Sequence, residues 1–351
     1  MGERGRFVRR VASTILGRSE AEDVMRELVA ESRRTHPHPN PRVAAAIISP
    51  TGDTVAHGVH RRSGEPHAER LATGGDRYPG HAMVVTLEPC SHTGRTPPCT
   101  DAILEAGIAE VWVGATDPDP RVSGAGLSIL RDAGISVHEG ILSDLVESND
   151  RGYFHQRRTG RAFVTLKLAS TLDGQVAATD GTSQWITGTT AREDVHELRA
   201  AHDAVLVGSG TVNQDNPLLN VRLEGFSGPQ PRPVIVAGST PLDEGAAVLT
   251  RDPLIYSDGA GVDLLAMLED LPNSGILSVL AEGGPAVAAS LVRQGLVDEV
   301  VWYLGAALAG GEGMPAIAGK WATLSDATRL SFTDIRRIGD DIRITAKIVR
   351  T

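Results

Sequence analysis

The apolar positions along the chain follow two periods, one typical of β-strands and one typical of α-helices. In the first half, short apolar runs such as VAAAIIS, DTVAHGVH, AMVVTLE and EVWVGA predict strands. Between Glu20 and Arg34, the residues Val24, Met25, Leu28 and Val29 share one face, which predicts an amphipathic helix. Further helices are predicted at HAERLA, CTDAILEAG and GAGLSILRDAG. Strands and helices that alternate in this way predict an α/β fold with a sheet covered on both faces.

A second alternating series begins after residues 151–161, where a predicted helix leads into a polar, glycine-containing connection. The strands FVTLKLAS, DAVLVGSG, PVIVAG, PLIYS, ILSVLAEGG and DEVVWYLG are separated by helices such as TAREDVHELRAA and PAVAASLVRQG. The chain ends in two predicted antiparallel strands, TRLSFTDIRRIG and DIRITAKIVR. We therefore predict two α/β domains, over residues 20–150 and 160–351.

Length and composition agree with two domains and argue against several classes of function. A chain of 351 residues is long for one domain, and 41% hydrophobic with 22% charged residues is ordinary for a folded protein. The net charge of -10 argues against a nucleic-acid partner, because binding to nucleic acid needs a basic surface. No apolar run is long enough to span a membrane, so we expect a cytoplasmic protein without a membrane partner.

Residues 66–99, PHAERLATGGDRYPGHAMVVTLEPCSHTGRTPPC, contain both cysteines of the chain. His67, Cys90 and Cys99 offer one imidazole and two thiolates, a ligand set that leaves the fourth position of a tetrahedral Zn²⁺ ion open for water. Glu69 is suited to take a proton from that water and pass it to a leaving group. The order H-x-E and then P-C is typical of zinc deaminases.

The spacing of the two cysteines departs from the short P-C-x-x-C form of that signature, since residues 91–98 separate them. A loop must bring Cys99 back to Cys90, and Gly94 with Pro97-Pro98 suits such a turn. Cys99 also begins a predicted helix, where backbone amides should lower the pKa of its thiol. The alternative is that both cysteines are small buried residues without a metal.

Three features of the second half bear on chemistry. Gly283-Gly284-Pro285 follows an apolar strand and opens a helix, where free backbone N–H groups can hold a phosphate, although a simple tight turn would use the same residues. Lys167 shares a strand face with Thr165, and that face lines either a cleft or solvent. The run GSGTVNQDNPLLNVR places Thr211, Asp215 and Arg222 in a predicted loop, which is either functional or a plain connector.

Together, TLEPCSHTGRTPPC, FVTLKLASTLDGQVA, SQWITG, HELRAAHDAVLVGSGTVNQDNP and AEGGPAVAASLV resemble the bifunctional deaminase/reductase family of bacterial riboflavin biosynthesis, in collinear order over residues 23–311. The resemblance implies a cytidine-deaminase-like N-terminal domain with zinc and a dihydrofolate-reductase-like C-terminal domain with NADPH. It also implies two reactions. The first is deamination of 2,5-diamino-6-ribosylamino-4(3H)-pyrimidinone 5′-phosphate, and the second is reduction of the ribosyl group to ribityl.

The resemblance further implies roles for individual residues. His67, Cys90 and Cys99 would bind zinc, Glu69 would shuttle protons, and Asn40, His92 and Arg95 would contact the substrate. In the second domain, either Lys167 or Asp215 would be the proton donor. The substrate side would include Lys167, Ser183, Arg199, Leu219, Arg222 and Glu282. The cofactor side would include Ala169, Trp185, Thr211, Asp215, Gly284, Pro285, Ala286, Val287, Ala288, Ala289 and Ser290.

Some stretches depart from the family pattern. Ala44 follows PNPRV where the family usually has glycine, residues 1–20 lie outside the match, and residues 225–233 match poorly. Two alternatives are a deaminase of another base or nucleotide and a reductase-like domain that only binds its ligand. We expect a small phosphorylated pyrimidine as partner and a homo-oligomer of unspecified order.

Overall fold

The computed structural model describes residues 14–93, 97–120, 122–238, 240–258, 261–319 and 321–349. The chain divides into two compact units, residues 1–150 and 151–351. Each unit has its own mixed sheet with helices packed on it.

The first unit has a five-stranded sheet with the order β2-β1-β3-β4-β5. Its strands are β1 (Ala44–Ile48), β2 (Thr54–Val59), β3 (Ala82–Leu87), β4 (Glu110–Ala115) and β5 (Ser136–His138). Its helices are α1 (Arg18–Ser32), α2 (Ala68–Thr73), α3 (Cys99–Ala106), α4 (Ala125–Asp132) and α5 (Ser143–Asn149). Strand β1 runs antiparallel to β2 and β3, whereas β3, β4 and β5 are parallel.

The predicted N-terminal helix is present as α1, and it buries Met25, Leu28 and Val29 as expected. Ala21 completes the buried face, whereas Val24 is only half-buried. Every residue of β3 is buried, as expected for a central strand between two layers of helices. The carboxyl end of this strand leads directly to the first cysteine, so the core fixes where that thiol lies.

The second unit has an eight-stranded sheet with the order β10-β9-β8-β11-β6-β12-β15-β14, and β7 pairs with β13 in a small separate sheet. The strands are β6 (Phe163–Thr171), β7 (Gln175–Ala177), β8 (Ala204–Gly208), β9 (Arg232–Ala237), β10 (Leu254–Ser257), β11 (Ser278–Ala281), β12 (Glu299–Gly305), β13 (Met314–Pro315), β14 (Leu330–Ile338) and β15 (Asp341–Ile348). The helices are α6 (Arg151–Thr159), α7 (Thr189–Ala200), α8 (Ser209–Asp215), α9 (Leu264–Asp270) and α10 (Pro285–Arg293). Neighbouring strands of the large sheet are parallel except that β15 is antiparallel to both β12 and β14, and the pair of β14 with β15 was predicted.

The two faces of β6 differ as the alternation of its residues predicted. Val164 and Leu166 are fully buried in the main hydrophobic core under α9 and α10. Thr165 lies on the other face and its hydroxyl is 2.8 Å from Nε2 of His202. Lys167 therefore shares the face of Thr165, away from the main core.

Two predictions about connections need correction. The run after β8 is not entirely a loop, because Thr211 and Asp215 lie on the short helix α8 and only Arg222 lies in a loop. The glycines that suggested a loop occupy the entry to this helix, with Gly208 at its N-cap. The segment before residue 161 continues as helix α6. No helix in the described ranges is both long and apolar enough to cross a membrane.

Candidate active sites

The first candidate site brings together the histidine and both cysteines of the H-x-E and P-C motifs. Nδ1 of His67 lies 3.3 Å from Sγ of Cys99 and 3.6 Å from Sγ of Cys90. One ligand atom from each residue lies within 4.8 Å of the others. His67 caps α2, Cys99 begins α3, and Cys90 follows β3. One nitrogen and two sulfurs in this arrangement fit a zinc ion with an open coordination position.

The loop between the cysteines closes as the sequence required. The backbone N–H of Cys99 donates to the carbonyl of Cys90 at 3.0 Å, and that of Thr100 donates to the same carbonyl at 3.2 Å. The guanidinium of Arg70 donates to the carbonyls of Pro97 and Pro98 at 3.3 and 3.2 Å. Helix α2 therefore holds the end of the cysteine loop in place.

The expectation for the thiol of Cys99 was wrong. Hydrogen bonding from Cys99 lowers the pKa of Cys90 to about 4, whereas the neighbouring Cys90 and burial raise the pKa of Cys99. The backbone N–H that begins α3 lies 3.4 Å from Sγ of Cys90, so the helix start stabilises the other thiolate. Two adjacent thiolates repel each other, and a cation between them offsets this repulsion.

Glu69 lies in the first turn of α2 and is almost fully buried, with 3% of its surface exposed. Burial raises the pKa of its carboxyl to about 7. Among the described residues, none donates a hydrogen bond to its Oε2. A buried carboxyl with one free oxygen and a pKa near neutrality is suited to accept and release a proton.

Sequence reasoning missed His60, which lies between two predicted site residues. Its Nε2 is 3.1 Å from Nδ2 of Asn40, and its ring meets that of His67 edge-on with centroids 5.2 Å apart. Burial lowers the pKa of His60. The signal in the sequence that could have identified His60 is its position at the end of a predicted apolar strand. His92 is exposed, and Arg95 lies outside the described residues.

The second candidate site lies where β6, α7 and β11 meet. Arg199 of α7 forms a bidentate ion pair with Glu282, which directly follows β11. Burial raises the pKa of Glu282, but Arg199 outweighs burial and the pKa lies below its usual range. Burial lowers the pKa of Lys167, while the charge of Glu282 partly opposes this shift. The structure thus brings together three of the residues predicted on the substrate side.

A glycine-lined helix start adjoins this cluster. The amide of Gly284 donates to Oγ1 of Thr211 at 3.2 Å, and Pro285 occupies the first turn of α10. A side chain at Gly283 would place its Cβ 2.7 Å from Val287. The absence of side chains leaves the backbone approachable at a helix N-terminus, which fits the phosphates of a dinucleotide. Within the predicted cofactor segment, Ala288 and Ala289 are instead buried in the unit.

The other predicted residues of the second unit differ in exposure. Asp215 ends α8 at the surface, and partial desolvation raises its pKa. Leu219 is buried, whereas Arg222 is exposed. The backbone N–H of Arg222 donates to Nδ1 of His196, a residue that the sequence analysis did not single out.

Residues 183–188 form a segment that lies on β12. A Cβ added at Gly305 would lie 2.1 Å from the carbonyl oxygen of Ile186. Within the segment, Ser183 is half-buried and Trp185 is 69% exposed. The guanidinium of Arg192 lies 4.3 Å from the Trp185 ring centroid. Ala169 packs against a small core cluster that contains Tyr303.

Comparison with known proteins assigns the chain to a family. The model of the RibD C-terminal domain matches residues 162–344, and that of the cytidine and deoxycytidylate deaminase zinc-binding region matches residues 18–115. Riboflavin biosynthesis protein RibD of Escherichia coli K12 is 35% identical over 90% of this chain and 95% of its own length. The chain belongs to the RibD family. RibD of Bacillus amyloliquefaciens is 38% identical over 88% of this chain and 90% of its own length.

Solved structures of RibD proteins agree with both units. Acinetobacter baumannii RibD superposes with a TM-score of 0.87 at 31% identity, over 95% of this chain and 99% of that one. A Thermotoga maritima diaminohydroxyphosphoribosylaminopyrimidine deaminase/5-amino-6-(5-phosphoribosylamino)uracil reductase gives 0.85 at 32% identity, with the same coverage of both chains. The first unit is therefore cytidine-deaminase-like and the second dihydrofolate-reductase-like. The RibD-family chain is a bifunctional deaminase and reductase of riboflavin biosynthesis, with zinc and NADPH as cofactors.

Proposed function

We propose that the first unit deaminates 2,5-diamino-6-ribosylamino-4(3H)-pyrimidinone 5′-phosphate and that the second reduces the ribosyl group of the product to ribityl. The name of the Thermotoga maritima relative supports this substrate class. The observation that carries the proposal is the group of His67, Cys90 and Cys99 beside the buried carboxyl of Glu69.

In the first unit, His67, Cys90 and Cys99 would hold the zinc ion, which when bound supplies an activated water. Glu69 takes a proton from the attacking water and delivers it to the departing ammonia. A pKa of about 7 suits both directions of this transfer, because the ideal acid/base group has a pKa near the working pH. Burial keeps bulk water from exchanging with this proton.

Asn40, His92 and Arg95 would contact the substrate in this unit. The amide of Asn40 is oriented by the ring of His60, at 3.1 Å, and that ring is in turn fixed by the carbonyl of Pro66, at 3.1 Å from its Nδ1. A side chain fixed in this way is suited to recognise the hydrogen-bonding edge of a pyrimidine.

In the second unit, NADPH when bound supplies a hydride. The amides at the start of α10, with Thr211, would hold cofactor phosphates. Arg199, Glu282 and Lys167 would orient the sugar phosphate, and Lys167 or Asp215 would donate the proton that completes the reduction. The charge of Glu282 acts to raise the pKa of Lys167, whereas burial alone accounts for the shift of Asp215. Ser183, Leu219 and Arg222 complete the proposed substrate side, and Ala169, Trp185 and residues 284–290 the cofactor side.

We also propose that the two activities divide between residues 20–150 and 160–351. A cytoplasmic location is proposed because both cysteines are assigned to the metal, which leaves no disulfide to favour an oxidising compartment. A homo-oligomer is proposed as the assembled form.

Stepwise incubation of the zinc-loaded protein tests the assignment. The diamino substrate is added under anaerobic conditions, first without and then with NADPH. We expect ammonia release in the first step, and NADPH oxidation with formation of the ribityl product only in the second. Ammonia release from single-stranded oligonucleotides but not from the nucleotide would contradict the substrate, and NADPH binding without oxidation would reduce the second unit to a binding module.

A further inference from the structure

Residues 33–43, which carry Asn40, form the connection between α1 and β1. Asn40 lies between two prolines, and a proline has no backbone N–H to donate. The nearest backbone donors are therefore the N–H groups of Asn40 itself and of Arg42. The N–H of Asn40 donates to the carbonyl of Pro37 at 3.0 Å. The N–H of Arg42 needs an acceptor from another part of the unit.

Asp150 supplies that acceptor and also contacts the chain on the other side of Asn40. Its Oδ2 accepts from the backbone N–H of Arg42 at 2.7 Å, and its Oδ1 lies 2.8 Å from Nε2 of His38. The side chains of His38 and Asp150 are only 7% and 4% exposed. One buried carboxylate therefore joins the chain before Asn40 to the chain after it.

The groups around this carboxylate keep it ionised. Burial raises the pKa of Asp150, but the neighbouring His38 and Arg42 outweigh burial, and the pKa lies below its usual range. An ionised carboxylate accepts hydrogen bonds at both oxygens, and such bonds are stronger than those between neutral groups. Asp150 therefore holds both contacts at the same time.

The helix end that carries Asp150 is itself fixed to α1. Asp150 directly follows Asn149, the last residue of α5. The side-chain amide of Asn149 donates to Oγ of Ser32 at 3.0 Å, and its backbone carbonyl accepts from Nη1 of Arg42 at 2.9 Å. The end of α5 is thus tied both to the end of α1 and to the connection that follows, so Asp150 has a defined position relative to Asn40.

We propose that Asp150 is a positioning residue of the first unit and that it acts through Asn40. By bonding the chain on both sides, it fixes the backbone from which the amide of Asn40 reaches Nε2 of His60, at 3.1 Å. The inference rests on the proposed function, in which Asn40 contacts the pyrimidine. It assigns the orientation of that contact to a carboxylate far along the chain.

Deamination kinetics of the full-length, zinc-loaded protein test the proposal. Asp150→Ala removes both bonds, so we expect the KM for the diamino nucleotide to rise by about 10-fold or more. The kcat should fall by less than about threefold, because Asn40 contributes to binding rather than to proton transfer. Asp150→Asn should restore KM to within about threefold of the unchanged protein, since its amide oxygen accepts from Arg42 and its NH2 donates to an uncharged His38. An unchanged KM in Asp150→Ala would overturn the proposal.

Two further variants control for stability. Val146→Ala truncates a buried side chain of the same helix α5, so it should destabilise the unit and leave KM unchanged. His38→Ala removes one of the two bonds and keeps the contact with Arg42. It makes the same comparison if Asp150→Ala does not fold, with an expected rise of KM of about threefold. A circular dichroism spectrum checks the fold of each variant.

A double substitution separates positioning from general destabilisation. If Asp150 acts through Asn40, adding Asp150→Ala to Asn40→Ala should change KM by less than about twofold beyond the value for Asn40→Ala. Independent residues have additive effects. An equal rise of KM on Asp150→Ala with and without Asn40 would therefore contradict the proposal.

Hydrogen–deuterium exchange gives a result that does not depend on activity. The amide of Arg42 is protected by its bond to Asp150, so a peptide that contains it should exchange about 10-fold faster in Asp150→Ala and normally in Asp150→Asn. Equal exchange in Asp150→Ala and the unchanged protein would overturn the proposal. If the unchanged protein releases no ammonia from the nucleotide, the proposed function fails, and the exchange rates still decide whether Asp150 fixes the chain around Asn40.

Discussion

Arg199 donates to both carboxylate oxygens of Glu282, from Nε at 2.6 Å and from Nη2 at 3.0 Å. Both side chains are mostly buried, with 12% and 10% of their surfaces exposed. The pair joins α7 to the end of β11, and Lys167 lies within electrostatic range of both groups. The pKa of Lys167 therefore responds to both members of the ion pair.

Glu282→Gln removes the negative charge and leaves Arg199 unpaired. We expect the free energy of unfolding of the second unit to fall by about 3 kcal/mol or more, because breaking a buried pair leaves an uncompensated charge. Urea denaturation measures this loss. Glu312→Gln is the control, since Glu312 is exposed in the same unit and should change stability by less than about 0.5 kcal/mol. Equal losses in the two variants would contradict a structural role for the pair.

Lys167→Arg tests the proton donor through pH dependence. A lysine is protonated below its pKa, and burial lowers the pKa of Lys167, so reductase kcat/KM should fall as pH rises through this lowered value. Arginine keeps the positive charge but does not release its proton in this range, so kcat of the reduction should fall by about 100-fold or more and the remaining activity should lack the fall at high pH. The pH profile of NADPH oxidation measures the dependence of reductase kcat/KM on pH, and the rate of deamination is the internal control. If the fall of kcat/KM at high pH is the same in the variant, the group that titrates is not Lys167.

Asp215→Ala separates the two candidate donors. Because Asp215 lies on α8 in the second unit, we expect reduction to fall while ammonia release stays within about twofold of the unchanged protein. If Asp215 is the donor, the loss of kcat should be about 100-fold or more. A loss confined to the KM for NADPH would give it a binding role only. Equal loss of both activities would contradict separate active sites.

Glu69→Gln tests the proton shuttle of the first unit. Glutamine keeps the shape of the side chain but cannot carry the proton, so deamination should fall by about 100-fold or more. Zinc content, measured by atomic emission, should remain stoichiometric, because Glu69 is not among the three grouped metal ligands. Loss of zinc, or nearly normal turnover, would exclude the assigned role.

Tyr303→Phe tests the anchor of α7 on the sheet. The buried hydroxyl donates to Asp194, and burial together with this carboxylate raises the pKa of Tyr303. We expect the free energy of unfolding to fall by about 1.5–3 kcal/mol, the usual range for a hydrogen bond to a charged group. Asp194 keeps Arg336 and Arg343, so no buried charge is left unpaired. A larger loss in urea denaturation would show that packing of the ring also changed.

Local patterns predicted much of the fold. The strand before Gly283 and Gly284, the helix after them and the closure of the cysteine loop all followed from neighbouring residues. The order of the eight strands did not, because pairings such as β11 with β6 join segments far apart in sequence. The prediction that the thiol of Cys99 has a lowered pKa was wrong for a related reason. The helix that begins at Cys99 directs its first amide to Cys90, a contact that depends on tertiary structure.

The role of His60 and the pairing of Arg199 with Glu282 were likewise beyond local patterns. The residues next to a histidine or an arginine in sequence do not reveal a contact with a side chain that is distant along the chain. The resemblance to the family named Arg199 and Glu282 as site residues but gave no contact between them. The structure supplies that contact and with it the electrostatic coupling to Lys167.

The close approach of Ile186 to Gly305 makes the surface segment with Ser183 and Trp185 sensitive to a position beneath it. Even one methyl group at residue 305 would push that segment outward. In variants of this chain, a glycine-to-alanine exchange on β12 should therefore be classed with changes of the proposed substrate and cofactor residues rather than with conservative drift in the scaffold.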